Sequence, residues 1–229
     1  MDTELLTPVS IEGLQTIGTR YVVITLRALA DFKYHAGQFT QVVFDDELGD
    51  FRKYYSIASA PRINGRFDLC LLLDDTRLRQ WVMRQTLGRK LFVTPPSGRF
   101  YVPPLEQPVT MVAGGSGVTP LRAILESRAA TSLAAPTHLL YGCKTDEEIP
   151  FYESLQALHS INPKMHVHFF ADDVALGRAR LGRPLDALSE FVTSSDDYLL
   201  CGPPAFMSGA QKILQDAGVA PERIHQDRF

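Results

Sequence analysis

Three short segments of this 229-residue sequence combine residue types that can do chemistry. The first is Ala113-Gly114-Gly115-Ser116-Gly117-Val118-Thr119-Pro120, which follows an apolar run and precedes a helical pattern. Glycines at such a junction let the backbone approach an anion closely, and the free N–H groups of the first helical turn bind its oxygens. Pro120 suits that first turn, where no donor is needed. Gly114, Gly115, Gly117 and Thr119 are therefore candidate diphosphate contacts, with Pro120 setting the helix start. The segment lacks the Lys-Ser/Thr ending of a nucleoside-triphosphate loop, and Pro120 stands where the third glycine of G-x-G-x-x-G would be. Taken alone it also reads as a plain tight turn.

The second segment, Cys201-Gly202-Pro203-Pro204-Ala205-Phe206-Met207, closes another apolar run. Gly-Pro-Pro turns the chain at the carboxyl end of a strand, where open α/β sheets bind ligands. The turn is expected to expose the Cys201 thiol at a crevice beside the first loop. An isolated cysteine there reads instead as a small buried apolar residue. The third segment is Arg52-Lys53-Tyr54-Tyr55-Ser56-Ile57-Ala58-Ser59. Strand alternation sets Lys53, Tyr55 and Ile57 on one face and Tyr54, Ser56 and Ala58 on the other. Cations, a ring and hydroxyls suit a ligand with a phosphate, an aromatic plane and polar ring atoms. Alone, the segment reads as an edge strand with a solvated basic end.

The elements that must position these segments fall into two halves. Runs 20–26, 38–44, 54–58, 67–73 and 91–94 are short and rich in Val, Ile, Thr, Phe and Tyr, with turn signals between them. Their spacing predicts a small closed barrel. One helical pattern, 76–86, interrupts them with Leu78, Trp81, Val82 and Gln85. Beyond Pro103-Pro104, strand patterns at 109–113, 137–142, 166–171 and 198–201 alternate with helical patterns at 119–128, 151–158, 184–191 and 204–217, which predicts a covered parallel sheet. The expectation is a two-domain chain: an N-terminal antiparallel β-barrel over 1–104 and a C-terminal α/β parallel-sheet domain over 105–229.

Composition removes several functions. A formal charge of -3 gives no electrostatic footprint for nucleic acid or an anionic membrane. No apolar run could span a bilayer, and the first 25 residues lack a secretory pattern, so a cytoplasmic protein is expected. Three scattered cysteines suit a reducing compartment. They cannot supply the four thiolates of an iron–sulfur cluster, and no close His or Cys pair suggests a metal site.

Together the three segments resemble the ferredoxin–NAD(P)+ reductase superfamily, in its oxygenase-reductase and flavin-reductase-like branches without a fused iron–sulfur domain. The resemblance runs through nearly the whole chain: Gly37-Gln38-Phe39, the strand ending Tyr55-Ser56, Pro96-Ser97-Gly98-Arg99-Phe100, Gly114 to Pro120, Tyr141-Gly142-Cys143-Lys144, Cys201 to Met207, and Asp227-Arg228-Phe229. It implies a flavin on the barrel, FAD by family expectation with FMN open, and a nicotinamide nucleotide on the α/β half. Tyr55 would lie along the flavin and Ser56 would hydrogen-bond near its N5. Gly114, Gly115, Gly117, Thr119 and Pro120 would hold the nucleotide diphosphate. Cys201, Gly202, Pro203 and Met207 would shape the nicotinamide site, with Ser56 and Cys201 nearest the hydride, and Phe229 would cover the flavin.

Departures from the family pattern fall where charge matters. The flavin-phosphate arginine is replaced by Lys53, a point charge rather than a planar fork, with Arg52 beside it. The Gly-x-x-Ser segment for the flavin diphosphate is Thr76-Arg77-Leu78-Arg79, so either Arg77 or Arg79 binds the diphosphate through its side chain or flavin binding differs. Lys144 replaces an arginine after Tyr-Gly and reads equally as a solvated lysine. Ala171-Asp172-Asp173 stands where a 2′-phosphate would be met, so NADH is preferred over NADPH, although Arg178, Arg180 and Arg183 follow closely. The implied activity is an NAD(P)H-dependent flavoprotein reductase feeding a separate acceptor such as a ferredoxin or oxygenase component. A free-flavin or ferric-complex reductase is the alternative.

Overall fold

Strands with an apolar inner face close the first half around an interior. In the computed structural model, which describes residues 5–174 and 176–227, this half is one antiparallel sheet of six strands. They are β1 (Thr7–Ile17), β2 (Tyr21–Ala28), β3 (Phe39–Asp46), β4 (Gly49–Ser56), β5 (Arg66–Leu72) and β6 (Lys90–Val93), in the order β4-β3-β6-β1-β2-β5. Just past β4 the Ala58 amide donates to the Asp68 carbonyl of β5 at 2.8 Å, which joins the two outer strands and closes the barrel. Val22, Ile24 and Leu26 of β2 and Phe67, Leu69 and Leu71 of β5 fill the interior. Helix α1 (Thr76–Met83) adds Leu78 and Trp81 to the same core.

Two sequence patterns acquire a physical reason here. β2 and β5 are apolar on both faces because their outer residues, Tyr21, Val23 and Cys70, pack against Val118, Leu121 and Ile124 of the second half. β1 gave no clean alternation because its register with β2 shifts between Ile11 and Gly13, a bulge that breaks the period of two.

The second half is a parallel sheet of six strands: β7 (Val109–Gly114), β8 (Thr137–Thr145), β9 (Met165–Val174), β10 (Arg180–Leu181), β11 (Asp197–Cys201) and β12 (Ile224–Asp227). Their order is β10-β9-β8-β7-β11-β12. Helices α2 (Val118–Ala129) and α3 (Tyr152–Ile161) bury Leu121, Ile124, Leu155 and Leu158 in one cluster with Met111 and Ala113 of β7. Helices α4 (Pro184–Ala187) and α5 (Pro204–Asp216) bury Ala187, Met207, Ala210 and Leu214 in another with Val112. Both faces are thus covered, which is why these strands read as continuous apolar runs. The helical pattern expected over 184–191 ends as an α-helix at Ala187 and continues as a tighter 3-10 turn to Phe191. β12 is short and half-buried, and its sequence carries no strand signature.

The halves are joined by buried charge. Arg122 of α2 is 4% exposed and reaches the barrel, donating to the Ala58 carbonyl at 2.6 Å and to Asp68 of β5 at 3.1 Å. It also pairs with Glu126 at 2.6 Å and lies over the Phe151 ring at 4.1 Å. Asp68 is held further by Arg62 at 2.8 Å and by the Thr25 hydroxyl at 2.8 Å. Burial pushes the Asp68 carboxyl up, but the Arg62 hydrogen bond and the Arg122 and Arg62 charges bring it below the ordinary range. Replacing Arg122 by Ala leaves Asp68 and Glu126 short of a buried partner, so a loss of about 3–5 kcal/mol is expected from urea unfolding. A loss within experimental scatter would show that the pairing is not structural.

At the opposite end of the parallel sheet, His138 of β8 lies beside His168 of β9, Nδ1 to Nε2 at 3.3 Å, and its ring stacks on His166 at 4.9 Å. Burial first, and neighbouring imidazoles second, hold His138 and His168 below the ordinary value of 6.5. The unfolded chain therefore takes up protons before the folded one does. Stability from these groups is complete above about pH 6.5 and is lost as the pH falls through their folded values. The melting temperature is expected to drop between about pH 7 and pH 5, and to drop less when both are replaced by Asn. Equal pH dependence in the parent and the double variant contradicts this.

Candidate functional site

β7 has β8 on one side and β11 on the other, so the connections leaving β7 and β11 part at a topological switch point. Gly114 ends β7, Gly115–Gly117 makes a 3-10 turn with Gly115 at φ 56°, and α2 begins at Val118. The Thr119 hydroxyl donates to the Ser116 carbonyl at 2.8 Å and braces the turn. On the other side Gly202-Pro203 leads from β11 into α5. A Cβ on Gly117 would lie 2.2 Å from the Cys201 carbonyl oxygen, and one on Gly202 would lie 3.2 Å from the Gly114 nitrogen. The two loops are therefore packed backbone to backbone, which only glycine permits.

Above them opens a crevice of about 680 Å³. Gly114, Gly115 and Gly117 form its floor, with Gly202 and Pro203 on one wall. Tyr21 and Leu72 of the barrel close its inner side, and a Cβ on Gly115 would meet the Tyr21 hydroxyl at 3.1 Å. Lys144, Asp172, Asp173 and Arg183 line the crevice as well. Lys144 pairs with Asp173 at 3.7 Å, and Arg183 pairs with Asp186 at 3.1 Å within the capping box of α4. Burial first, and the Asp173 and Asp186 charges after it, raise the Asp172 carboxyl, while Arg183 opposes them. The Arg178 guanidinium lies over the Tyr152 ring at 5.2 Å.

The expected residues divide between this crevice and the barrel. Gly114, Gly115, Gly117, Lys144, Gly202 and Pro203 line the crevice. Thr119 and Pro120 are buried behind its floor, and Met207 is buried in the cluster under α5. The expectation of an exposed Cys201 thiol is corrected: Cys201 is fully buried, and burial pushes its thiol far above the ordinary range. Its backbone carries the contact with Gly117, while its side chain belongs to the cluster under α2. Phe229 lies outside the described residues.

None of Arg52, Lys53, Tyr55, Ser56, Thr76, Arg77 and Arg79 is among the crevice-lining residues. Lys53 pairs with Asp75 at 2.9 Å. Arg77 forks onto the Asp46 carboxylate at 2.7 and 2.8 Å, donates to the Gly49 carbonyl at 2.6 Å, and covers the Phe51 ring. Arg79 donates to the Leu73 carbonyl at 2.6 Å. Arg52 reaches Gln41 at 3.4 Å, and Thr76 is exposed at the start of α1. Ser56 is buried, and the buried Tyr55 hydroxyl has no hydrogen-bond partner among the described residues. Tyr21, Leu72 and Arg20 were not anticipated in the site, because a residue at the start or end of a barrel strand carries no mark of the domain it will face.

A closed antiparallel barrel set against a covered parallel sheet, with a glycine-floored crevice at the switch point, defines a two-domain nucleotide-binding architecture. A family profile described as "Oxidoreductase NAD-binding domain" matches residues 111–212. The ferredoxin reductase component of 3-ketosteroid-9-alpha-monooxygenase from Mycolicibacterium smegmatis is 27% identical over 229 residues, covering 94% of this chain and 62% of the relative. A flavohemoprotein of Bordetella pertussis is 29% identical over 212 residues, covering 86% of this chain and 53% of the relative. The chain thus spans about half to three-fifths of the length of these curated relatives. The FAD/NAD-binding domain of nitric oxide dioxygenase from Vibrio cholerae has the same fold, with a TM-score of 0.84 at 22% identity, covering 97% of this chain and 98% of that one. The family match is thus confined to residues 111–212, while nearly the whole chain is similar in sequence to these reductase relatives and in fold to that FAD/NAD-binding domain.

Replacing Gly117 by Ala forces the β7 and β11 loops apart, since the obstacle is backbone and cannot rotate away. A stability loss of about 1–3 kcal/mol is expected, together with weaker binding of a nicotinamide nucleotide. Unchanged melting temperature and unchanged nucleotide titration would contradict the packing described.

Proposed function

We propose that the chain is an NAD(P)H-dependent flavoprotein oxidoreductase, with a flavin on the barrel side and NADH as the preferred donor. The observation that carries this reading is the crevice walled by both the glycine loops of the parallel sheet and the barrel residues Tyr21 and Leu72. When bound, a flavin accepts a hydride from the reduced nicotinamide and passes the electrons on. The residues present suit the two groups unequally. The glycine floor and the α2 N-terminus suit a dinucleotide diphosphate. On the barrel, the orphaned buried Tyr55 hydroxyl and the neighbouring Ser56 hydroxyl suit the polar atoms of a flavin. The cations Lys53, Arg77 and Arg79 are already engaged by the protein's own acceptors.

In this reading the chain's task is placement. Gly114 to Gly117 and the first turn of α2 bind the diphosphate, with Thr119 holding the turn in shape. Tyr21 and Leu72 exclude water from the inner end, and Arg122 keeps that wall in register with the floor. Asp172 and Asp173 accept from ribose hydroxyls and oppose a 2′-phosphate. Arg183, which also lines the crevice, is paired with Asp186.

The acceptor is a separate protein, a ferredoxin or an oxygenase component, a reading supported by the relative named as a ferredoxin reductase component. A free-flavin or ferric-complex reductase is favoured by a different observation, the internal pairing of the barrel cations. Three free, buried cysteines suit a reducing, cytoplasmic setting. The test is anaerobic stopped-flow reduction of the flavin-loaded chain. NADH is expected to bleach the flavin at least about tenfold faster than NADPH at equal concentration, since a 2′-phosphate facing carboxylates loses more than about 1.4 kcal/mol. Failure of both nucleotides to bleach it overturns the function; a faster reaction with NADPH overturns the assignment of Asp172 and Asp173.

A further inference from the structure

The barrel contains an anion cradle that is already filled. Asp75 is the N-cap of α1, and its Oδ1 accepts from the amides of Arg77 at 2.7 Å and Leu78 at 3.4 Å. Its Oδ2 lies 2.9 Å from Lys53 Nζ. A helix N-terminus facing a lysine is the arrangement that binds a phosphate. Here one carboxylate of the chain takes both. Arg77 and Arg79 are engaged as well: Arg77 is forked onto Asp46, and Arg79 is turned onto the Leu73 and Thr19 carbonyls. Lys53 shares its face of β4 with Tyr55, whose buried hydroxyl has no hydrogen-bond partner among the described residues.

We propose that Asp75 stands in for the flavin's phosphate, so that the barrel selects a flavin by its ring and gains little from FMN or FAD over riboflavin. This rests on the flavin reading above and specifies its ligand class: a dissociable flavin held without a phosphate anchor. The Lys53 hydrogen bond first, and the α1 amides after it, hold the Asp75 carboxyl below the ordinary range, so it is charged at neutral pH. A phosphate arriving at Lys53 must displace one anion with another on the same donors. The displaced carboxylate then faces the newcomer beside Asp74, and the exchange gains little.

The test titrates the full chain, freed of flavin, with riboflavin, FMN and FAD, and follows quenching of flavin fluorescence. The parent is expected to bind all three within about tenfold of one another. Asp75→Asn keeps an N-cap side chain but removes the charge. It is expected to bind FMN and FAD at least about tenfold more tightly while riboflavin is unchanged, and Asp75→Ser should do the same. A parent that binds FAD or FMN more than about a hundredfold tighter than riboflavin overturns the proposal, as does an Asn variant with no gain. If neither parent nor variants bind any of the three, the flavin reading itself falls and this inference with it, a result distinct from a failure of selectivity.

Discussion

The Arg122 guanidinium sits in a place where nothing but its own partners can solvate it. It projects from the first helix of the parallel-sheet half, crosses the boundary, and finishes on the Ala58 carbonyl and the Asp68 carboxylate of the barrel. A buried ion pair of this kind adds little net stability compared with apolar packing, but it tolerates very few geometries, because every lost contact strands a charge away from water. Its value is therefore one of position. The same residues that close the barrel, Ala58 and Asp68, are the ones that Arg122 grips. Closure of one half and docking of the other are thus a single event.

The site inherits its shape from that docking. α2 begins at the glycine turn and carries Arg122 one turn further on, so fixing Arg122 against the barrel also fixes the turn against Tyr21. The outer apolar residues of β2 and β5, which look redundant for a barrel, complete the seam around the charges. On the other side the contact of Gly117 with the Cys201 carbonyl locks the two loops at a separation that no larger residue allows. A rigid glycine floor and a barrel wall of set height follow from sterics at one boundary and electrostatics at the other.

Much of this was legible in the residues. The Val-, Ile- and Thr-rich run 20–26 marked a barrel strand, and the change of pattern after Pro104 marked the parallel sheet. The glycine turn and the Gly-Pro turn were readable because their chemistry is backbone chemistry, set by local sequence. What escaped was whatever depends on a distant partner. Cys201 looked exposed because it precedes a turn, yet the sheet places its side chain under α2. Lys53 and Arg77 looked free because no sequence rule announces that Asp75 and Asp46 will meet them. Tyr21 carried no mark of the site, because only the docked α/β half makes its hydroxyl a wall. β1 was hidden by its bulge and β12 by its polar residues, which are tolerated at the sheet edge.

The central claim is that one crevice, floored by glycine and walled by the barrel, receives a dinucleotide. It is tested most directly by a crystal structure of the chain with NAD+. The account predicts the diphosphate on Gly114 to Gly117 at the head of α2, with the nicotinamide end turned toward Tyr21 and Leu72. A nucleotide bound elsewhere, or bound with its diphosphate away from that turn, would contradict it.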